Sequence, residues 1–435
     1  FATHDFSLIF KLYNLKPETQ ELITFMLAQK GFACVCIYFF RSEFIIFSSM
    51  LLTTRFVNLL KFNSKRSCMR YACAYYHVKS GDELIDLKSD TVTKPCDQML
   101  TKMFQATVGD DVFREDPTTH ELELKAAEMF GKEKALFAPS GTMGNLLCIL
   151  AHCQGRSQEL IIGTDQHVYF GEQGHFMQYG GIVARPLPNQ DDGSLRLEGV
   201  EKIILRQGPY HCKTSMLVLE NTHMVKGGIP LRDQYLQDAY SLCKKYDVKL
   251  HIDGARLLGA AIATGNTMKE ILRNADSVSM CLSKGMGCPV GCVIGGSEEL
   301  IDKALHIRKS LGGGMRQIGY LTAAGIYALE NAHQWIEIDH QHARAVADNV
   351  NSLGFGDSAF VNTEHGLTSI VFIELKDSKS SEIVHMLRER YNIEAMAFTD
   401  KRVRLCMHRN ISSDDIDYVN KALSRVLELH ISRAI

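Results

Sequence analysis

Two stretches of the sequence decide the fold: Val248-Lys-Leu-His-Ile-Asp-Gly-Ala-Arg256 and Ser277-Val-Ser-Met-Cys-Leu-Ser-Lys-Gly285. In each, a short apolar run ends in small and charged residues. Asp253 and Lys284 are 31 residues apart, the length of one strand-helix-strand unit. Because the carboxyl ends of parallel strands meet at one edge of a sheet, we expect this carboxylate and this amine to face a common cleft.

The sequence around these stretches alternates between short apolar runs and helical patterns. The predicted strands are 135–138, 216–219, 248–252, 277–282 and 291–294, and the predicted helices between them are 121–130, 142–153, 231–246 and 268–274. This alternation favours an α/β fold with a large, doubly wound, mainly parallel sheet. A long helical pattern then leads to a strand, a helix, a strand and a helix. We therefore predict a large domain over 82–325 and a small α+β C-terminal domain over 326–435.

Composition excludes several classes of protein. Of the 435 residues, 46% are hydrophobic and 23% are charged, and the net charge is −2. These values are ordinary for a globular enzyme and give no basic field for nucleic acid. The 13 Cys are scattered without the paired spacing of a zinc site, so we predict no metal site and reduced thiols in an intracellular protein.

The N-terminal segment differs from the rest of the chain. Residues 1–81 carry ten Lys or Arg and four Asp or Glu, a net charge of +6. A single membrane helix over 32–52 would place Arg41 and Glu43 near the bilayer centre, which disfavours it. Residues 50–81 have six basic residues and no acid, as mitochondrial presequences do. We predict that 1–81 is a disordered or targeting extension, without a membrane partner. The protein is then expected in the cytosol, or in the mitochondrial matrix if 50–81 is a presequence.

A third predicted strand end carries small residues that could bind an anion. Pro139-Ser140-Gly141-Thr142 follows the apolar run 135–138 and opens a helix, where free N–H groups and the helix dipole favour an anion. An enzyme that uses pyridoxal phosphate (PLP) needs a lysine, a carboxylate for the pyridine nitrogen and a phosphate cup, usually with an aromatic ring or His over the cofactor. Lys284, Asp253 and the Gly141 helix satisfy the first three requirements.

Further segments in collinear order identify a family. They are DLKSDTVTKP (86–95), VGDDVF (108–113), DPT (116–118), SGT (140–142), LENTH (219–223), HIDGAR (251–256), CLSKG (281–285), GGGMRQ (312–317) and VRL (403–405). From Ile85 to about Val426 the chain resembles the low-specificity L-threonine aldolases, which are PLP-dependent enzymes of fold-type I.

The resemblance implies roles toward the cofactor and the substrate. The residues that it places around PLP are Lys284 as the Schiff-base lysine, Asp253 at the pyridine nitrogen, Arg256 near the ring hydroxyl and the substrate carboxylate, Gly141 and Thr142 at the phosphate, His167 stacked on the ring, and Arg316 at the phosphate of a neighbouring subunit. The residues that it places around the substrate are Ser89 and Arg404 at the carboxylate and His223 at the β-hydroxyl.

The activity implied by the resemblance is the cleavage of L-threonine or L-allo-threonine to glycine and acetaldehyde, a step of threonine breakdown and glycine formation. His167 or His223 would take the β-hydroxyl proton, directly or through a water. The expected assembly is a homo-oligomer, a dimer or a dimer of dimers (a homotetramer), with shared active sites. Two alternatives stay open: another PLP activity, such as β-elimination or transamination, and a catalytically dead relative that serves as a binding subunit.

One position departs from the family pattern. Arg114 stands in a turn where many relatives have Gly, and that turn lies near the substrate in the family. The range of substrates is therefore the property that this residue is expected to affect.

Overall fold

The structure is a computed structural model that describes residues 34–40, 43–49, 84–206, 208–377 and 379–431. The chain divides into two units, Phe1–His77 and Val78–Ile435. In the first unit, strands β1 (Cys34–Phe40) and β2 (Glu43–Ser49) pair in antiparallel register. The rest of the predicted extension, including the presequence-like part, lies outside the described residues. Among the residues that the structure describes, no helix is long and apolar enough to cross a bilayer.

The described part of the second unit alternates strands with helices. Its strands are β3 (Ile85–Asp86), β4 (Lys134–Ala138), β5 (Gln158–Gly163), β6 (Val183–Leu187), β7 (Lys213–Glu220), β8 (Lys249–Asp253), β9 (Ser277–Cys281), β10 (Cys292–Gly296), β11 (Ala359–Phe360), β12 (Ile370–Leu375), β13 (Ile393–Glu394), β14 (Met396–Thr399) and β15 (Arg402–Cys406). Its α-helices are α1 (Asp97–Phe104), α2 (Pro117–Phe130), α3 (Gly141–His152), α4 (His167–Phe170), α5 (His175–Gly180), α6 (Leu197–Ile204), α7 (Asp233–Lys245), α8 (Leu257–Thr264), α9 (Met268–Leu272), α10 (Glu298–Ser310), α11 (Gly319–Ser352), α12 (Ser380–Tyr391) and α13 (Ser413–Ile431).

The central sheet confirms the predicted α/β class. Its seven strands lie in the order β4-β10-β9-β8-β7-β5-β6. β10 is antiparallel to both of its neighbours, and the pairs from β9 to β6 are parallel. β4 and β9 therefore run in the same direction, and the carboxyl ends of six strands meet at one edge. Short helices and loops follow those ends and carry the polar residues of the predicted site.

Local sequence explains where helices α2 and α3 begin and end. The Asp116 side chain accepts the N–H of Thr119 at 2.8 Å, and Pro117 occupies the first turn, where a missing N–H costs nothing. α2 ends at Gly131, whose φ of 64° suits a residue without a Cβ. Ser140 caps α3 by accepting the N–H of Met143 at 3.2 Å. The predicted helices 121–130 and 142–153 correspond to these two elements.

The long helix α11 contributes to two hydrophobic cores. Ala328 and Ile336 pack in the core of the central sheet, whereas Ala343 and Val350 pack in the core of the C-terminal sheet, whose order is β11-β12-β15-β14. The predicted division at 325/326 falls within α11 and stays a prediction.

The segment that leads to the predicted site starts in a separate two-stranded sheet beside the C-terminal core. β3 pairs in parallel with β13, and Leu87 is fully buried in the C-terminal core. The N–H of Cys406 donates to the carbonyl of Leu87 at 2.7 Å. This anchorage places Ser89 and Asp90, which follow directly, between the C-terminal sheet and the edge of the central sheet.

Candidate active site

Asp253 is the last residue of β8 and is only 2% exposed. Its Oδ1 accepts the N–H of Ala255 at 3.1 Å, and within the described residues no cationic side chain donates to it. Burial, together with the charges of Glu220 and Glu172, raises the pKa of Asp253 to about 8. The ionised form of Asp253 is therefore disfavoured unless a cation binds beside it.

Lys284 lies three residues beyond the end of β9, on a loop fixed by hydrogen bonds. The Thr93 hydroxyl donates to the Lys284 carbonyl and to the Asp90 carbonyl, both at 2.9 Å. Burial alone would lower the pKa of Lys284, but the negative charges of Cys281, Asp90 and Asp253 outweigh burial and raise that pKa. The predicted lysine and carboxylate thus follow adjacent strands and lie within each other's electrostatic influence.

Asp90 is a site residue that the sequence analysis did not single out. Arg256 donates to its two carboxylate oxygens from Nε and Nη2, each at 2.7 Å, and Asp90 is only 1% exposed. The charge of Arg256 lowers the pKa of Asp90, although burial, the largest influence, opposes this. Asp90 follows Ser89 in the matching segment 86–95, so its position was available from the sequence, whereas its partner was not.

The predicted substrate residues Ser89 and Arg404 both lie next to Lys88: Ser89 follows it in the chain, and Arg404 contacts its carbonyl. Arg404 is 7% exposed and donates from Nη2 to the carbonyl of Lys88 at 2.6 Å. The Ser89 side chain accepts from the hydroxyl of Thr91 at 2.9 Å. Burial lowers the pKa of Arg404, and the charges of Arg256 and Asp90 also act on it. Arg404, Arg256 and Asp90 therefore form one charged group next to Lys284.

The N-terminus of α3 faces the same edge of the sheet. Gly141 and Thr142 open the helix, so their N–H groups have no acceptor within it. A Cβ on Gly141 would collide with Sγ of Cys281, which lies three residues before Lys284. Only glycine therefore lets the first turn of α3 approach β9 so closely, and an anion bound there would lie beside Lys284.

His167 begins α4 and is held at two points. Its Nδ1 lies 2.9 Å from Oε1 of Glu172, and its backbone N–H donates to Oε2 of Glu220 at 2.7 Å. The hydrogen bond with Glu172 raises the pKa of His167. The side chain is 38% exposed and responds to the charges of Asp253 and Lys284. The structure thus brings His167 to the same cleft as these two residues.

The two remaining predicted residues are His223, in the interior, and Arg316, on the surface. His223 is fully buried, and in the described part of the chain neither ring nitrogen has a hydrogen-bond partner. Burial lowers the pKa of His223. Arg316 lies on an exposed loop, 54% accessible, and its Nη1 pairs with Asp110 of its own chain at 2.8 Å. Its guanidinium also lies 5.7 Å from the ring centroid of Phe113. The roles suggested for both residues stay predictions.

Arg114 has a structural explanation that the sequence did not reveal. Its φ of 60° is a left-handed conformation that favours glycine. Its guanidinium pairs with Glu123 on α2 and lies 2.7 Å from Oδ1 of Asp111. Oδ2 of Asp111 accepts from Arg308 at 2.7 Å. The Arg114 side chain thus pairs with two buried carboxylates, those of Asp111 and Glu123.

The residues of the cleft fit PLP. A protonated pyridine nitrogen is a cation of the kind that Asp253 needs, the start of α3 suits a phosphate, and Lys284 offers an amine near both. In the described residues, no group of three or more His, Cys, Asp or Glu is arranged to hold a metal ion.

Comparisons with known proteins agree with this reading. Residues 86–374 match the beta-eliminating lyase family. The low-specificity L-threonine aldolase 1 of Arabidopsis thaliana is 40% identical over 338 residues, which cover 77% of this chain and 94% of that protein. The low specificity L-threonine aldolase of Escherichia coli K12 is 37% identical over 77% of this chain and 96% of its own length.

A solved structure shares the fold. The threonine aldolase of Leishmania major superposes with a TM-score of 0.67 at 18% identity, over 79% of this chain and 99% of that one. At this identity the likeness concerns the fold alone, whereas the sequence matches establish the relationship. The chain belongs to the beta-eliminating lyase family and, within it, to the low-specificity L-threonine aldolases, which are PLP-dependent fold-type I lyases.

Proposed function

We propose that this protein is a PLP-dependent lyase that breaks the Cα–Cβ bond of L-threonine and L-allo-threonine to give glycine and acetaldehyde. The observation that carries the proposal is the pair Asp253 and Lys284: Asp253 is the last residue of β8, and Lys284 lies just beyond the end of the adjacent strand β9. The names of the relatives that match over more than three-quarters of the chain support the same reaction.

Five residues would hold the cofactor, besides Arg256 near its ring hydroxyl and Arg316 of a neighbouring subunit at its phosphate. Lys284 would bind it covalently, Asp253 would pair with its ring nitrogen, and the N–H groups of Gly141 and Thr142 would bind its phosphate. His167 would lie against the ring. When bound, PLP supplies an electron sink for the pair released from the breaking Cα–Cβ bond. Asp253 makes that sink stronger by keeping the ring nitrogen protonated.

Ser89 and Arg404 would grip the substrate carboxylate. By holding the carboxylate they would set the orientation of the substrate about Cα, so that the Cα–Cβ bond is the one placed for cleavage. His167 or His223 would accept the β-hydroxyl proton. His167 is partly exposed in the cleft, whereas His223 is fully buried, which favours His167. The carboxylate of Glu172 raises the pKa of His167 and so makes it a better base.

We also propose a homo-oligomer with shared active sites, a dimer or a dimer of dimers. Arg316 is exposed on the glycine-rich loop 312–316 and would reach the phosphate of a neighbouring subunit. Within its own chain, contacts with Asp110 and Phe113 hold Arg316 in place. The domain limits 82–325 and 326–435 and the cytosolic or mitochondrial location belong to the same proposal.

Product analysis tests the reaction against its alternatives. Purified protein with bound PLP should absorb visible light, and L-allo-threonine should change that spectrum and yield glycine and acetaldehyde in equal amounts. Ammonia or a keto acid as the main product would identify β-elimination or transamination instead. A protein that binds no PLP would be a binding subunit rather than a lyase.

A further inference from the structure

A buried polar network lies beneath the cleft, and the reaction described above uses only one of its contacts, that between Glu172 and His167. Its centre is Asn145, a polar residue 2% exposed in the mainly apolar helix α3. Asn145 Nδ2 donates to Oε1 of Glu172 at 3.1 Å. Asn145 Oδ1 accepts from the Ser279 hydroxyl and lies 3.1 Å from Nε2 of His251. One amide therefore connects four segments of the fold.

These segments carry the groups that would hold the cofactor. Asn145 lies one helical turn after Gly141 on α3, and His251 lies two residues before Asp253 on β8. Ser279 is on β9, which leads to Lys284. A displacement of Asn145 would therefore shift the segments that bear Gly141, Asp253 and Lys284 together.

Glu172 extends this network to His167. It is 4% exposed, and its Oε2 lies 2.6 Å from Nε2 of His175, while Oε1 faces both His167 and Asn145. A carboxylate only accepts hydrogen bonds, so a neutral His167 must carry its proton on Nδ1. Its Nε2 is then left with a free lone pair.

The imidazole ring of His167 lies close to the backbone of Gly171. A Cβ on Gly171 would stand 2.8 Å from Nε2 and from Cδ2 of His167, so that residue 171 must be small. Glu220 fixes the backbone of His167 through its N–H at 2.7 Å. Glu172 thus fixes the orientation of the ring, and Glu220 fixes its position.

We infer that Glu172 and Asn145 are positioning residues of the cofactor site: Glu172 sets the tautomer and orientation of His167, and Asn145 ties Glu172 to the segments that bear Asp253, Gly141 and Lys284. The inference rests on the proposed function only in taking the cleft as the binding site of PLP. The hydrogen bonds that carry it exist in the chain without cofactor.

The test uses the full-length protein with ¹⁵N-labelled histidine, isolated with and without PLP. NMR spectra over a pH titration report the tautomer and pKa of His167, whose signal is assigned by its loss in His167→Asn. In the wild type we expect the neutral ring to be protonated on Nδ1. In Glu172→Gln we expect the His167 pKa to fall to or below that of free histidine, because the opposite charge is gone. The other groups that act on this ring, Asp253, Lys284 and Glu220, are unchanged in that variant.

Glu159→Gln is the matched control. Glu159 is 1% exposed and binds Arg185 and Arg206 near the start of β5, away from the cleft edge. The Glu159→Gln substitution therefore removes an equally buried charge, and we expect the His167 titration to stay unchanged. Asn145→Ala should reduce the visible circular dichroism of bound PLP, whereas Glu159→Gln should not.

If neutral His167 in the wild type carries its proton on Nε2, the inference is wrong. This measurement uses the wild-type protein, so it does not depend on the folding of a variant. An unchanged His167 pKa in folded Glu172→Gln would do the same. Neither result depends on turnover. A failure of the proposed lyase activity would instead appear only in the product analysis, with the NMR results intact.

Discussion

Asp253 on β8 lies directly opposite Glu220 on β7 in the parallel register, so that two buried carboxylates are cross-strand neighbours at the edge of the sheet. Glu220 is satisfied by the N–H groups of His167 and Met224, at 2.7 and 2.8 Å. Asp253 receives one backbone N–H, from Ala255. Burial and the charge of Glu220 therefore disfavour the ionised form of Asp253, and a cationic ring nitrogen would stabilise that form.

This arrangement predicts how the stability of the cofactor-free protein depends on pH. The Asp253 pKa is raised from 3.8 to about 8 in the folded chain. Between these values the folded state holds a proton that the unfolded state has lost, so stability falls as the pH rises from about 4 to about 8, by about 1.4 kcal/mol per unit at most. Asp253→Asn should remove this decline. Urea unfolding of cofactor-free wild type and variant at pH 5 and pH 8 measures it, and parallel declines in both would contradict the prediction.

The Asp90–Arg256 pair predicts a large cost for losing one partner. Asp90→Asn leaves a guanidinium buried without its carboxylate, which should cost about 3–5 kcal/mol of unfolding free energy. Asp86→Asn is the control, because Asp86 pairs with Lys88, a partly exposed residue, and such pairs contribute about 1 kcal/mol or less. Denaturant unfolding compares the two variants, and equal costs would show that the buried pair is not a stabilising unit.

Lys284→Ala should abolish turnover and leave the fold intact. The amine is held among charges rather than packed in a core, so its loss removes the covalent attachment point without leaving a large cavity. Lys421→Ala, an exposed change on α13, should retain full activity. Acetaldehyde release and thermal unfolding are the two measurements. More than a few per cent of wild-type turnover in Lys284→Ala would rule out this lysine as the attachment point.

Arg114→Gly should destabilise the protein without a comparable change in KM for threonine. Glycine relieves the left-handed backbone by about 1 kcal/mol, but the buried Glu123 loses its guanidinium partner, a loss of about 3–5 kcal/mol. In Arg114→Gly/Glu123→Gln much of the stability should return, because no unpaired charge remains. Steady-state kinetics and urea unfolding separate the two effects, and a changed KM with unchanged stability would restore the substrate role expected from the turn.

The sequence predicted the class of the fold because strands and helices alternate with clear periodicity. It missed β5 and β6. β5 has a short apolar run, and β6 is an edge strand that contains Pro186, which only an edge position tolerates readily. These strands owe their structure to pairing with β7 and with each other, which is not a local property of the chain.

The candidate site was predictable at strand ends and family motifs, but its supporting contacts were not. Glu172 follows His167 by five residues across a break in the helix, so no helical spacing connects them. Asn145 could be noticed in the sequence as the one amide in a mainly apolar helix. Its partners could not be predicted, because they lie on three other segments. Such contacts depend on tertiary packing and become visible only in the folded chain.

The shared site predicts complementation between two inactive subunits. If Arg316 acts on the neighbour's phosphate, both Lys284→Ala and Arg316→Ala should be inactive or nearly so as pure oligomers. In a mixed pair, the subunit that keeps Lys284 receives Arg316 from its partner, so one of the two sites is complete.

Random mixing makes half of the pairs mixed, each with one complete site, so about one quarter of wild-type activity should return. Subunit exchange is verified with two affinity tags, and Lys284→Ala mixed with Lys284→Ala/Arg316→Ala is the control that must stay inactive. In the described chain Arg316 is bound to its own Asp110 and is largely exposed, which leaves it accessible to a second subunit. If exchange is complete and no activity returns, Arg316 acts within its own chain or has no part in the site, because a guanidinium acting in its own subunit cannot be supplied by the partner.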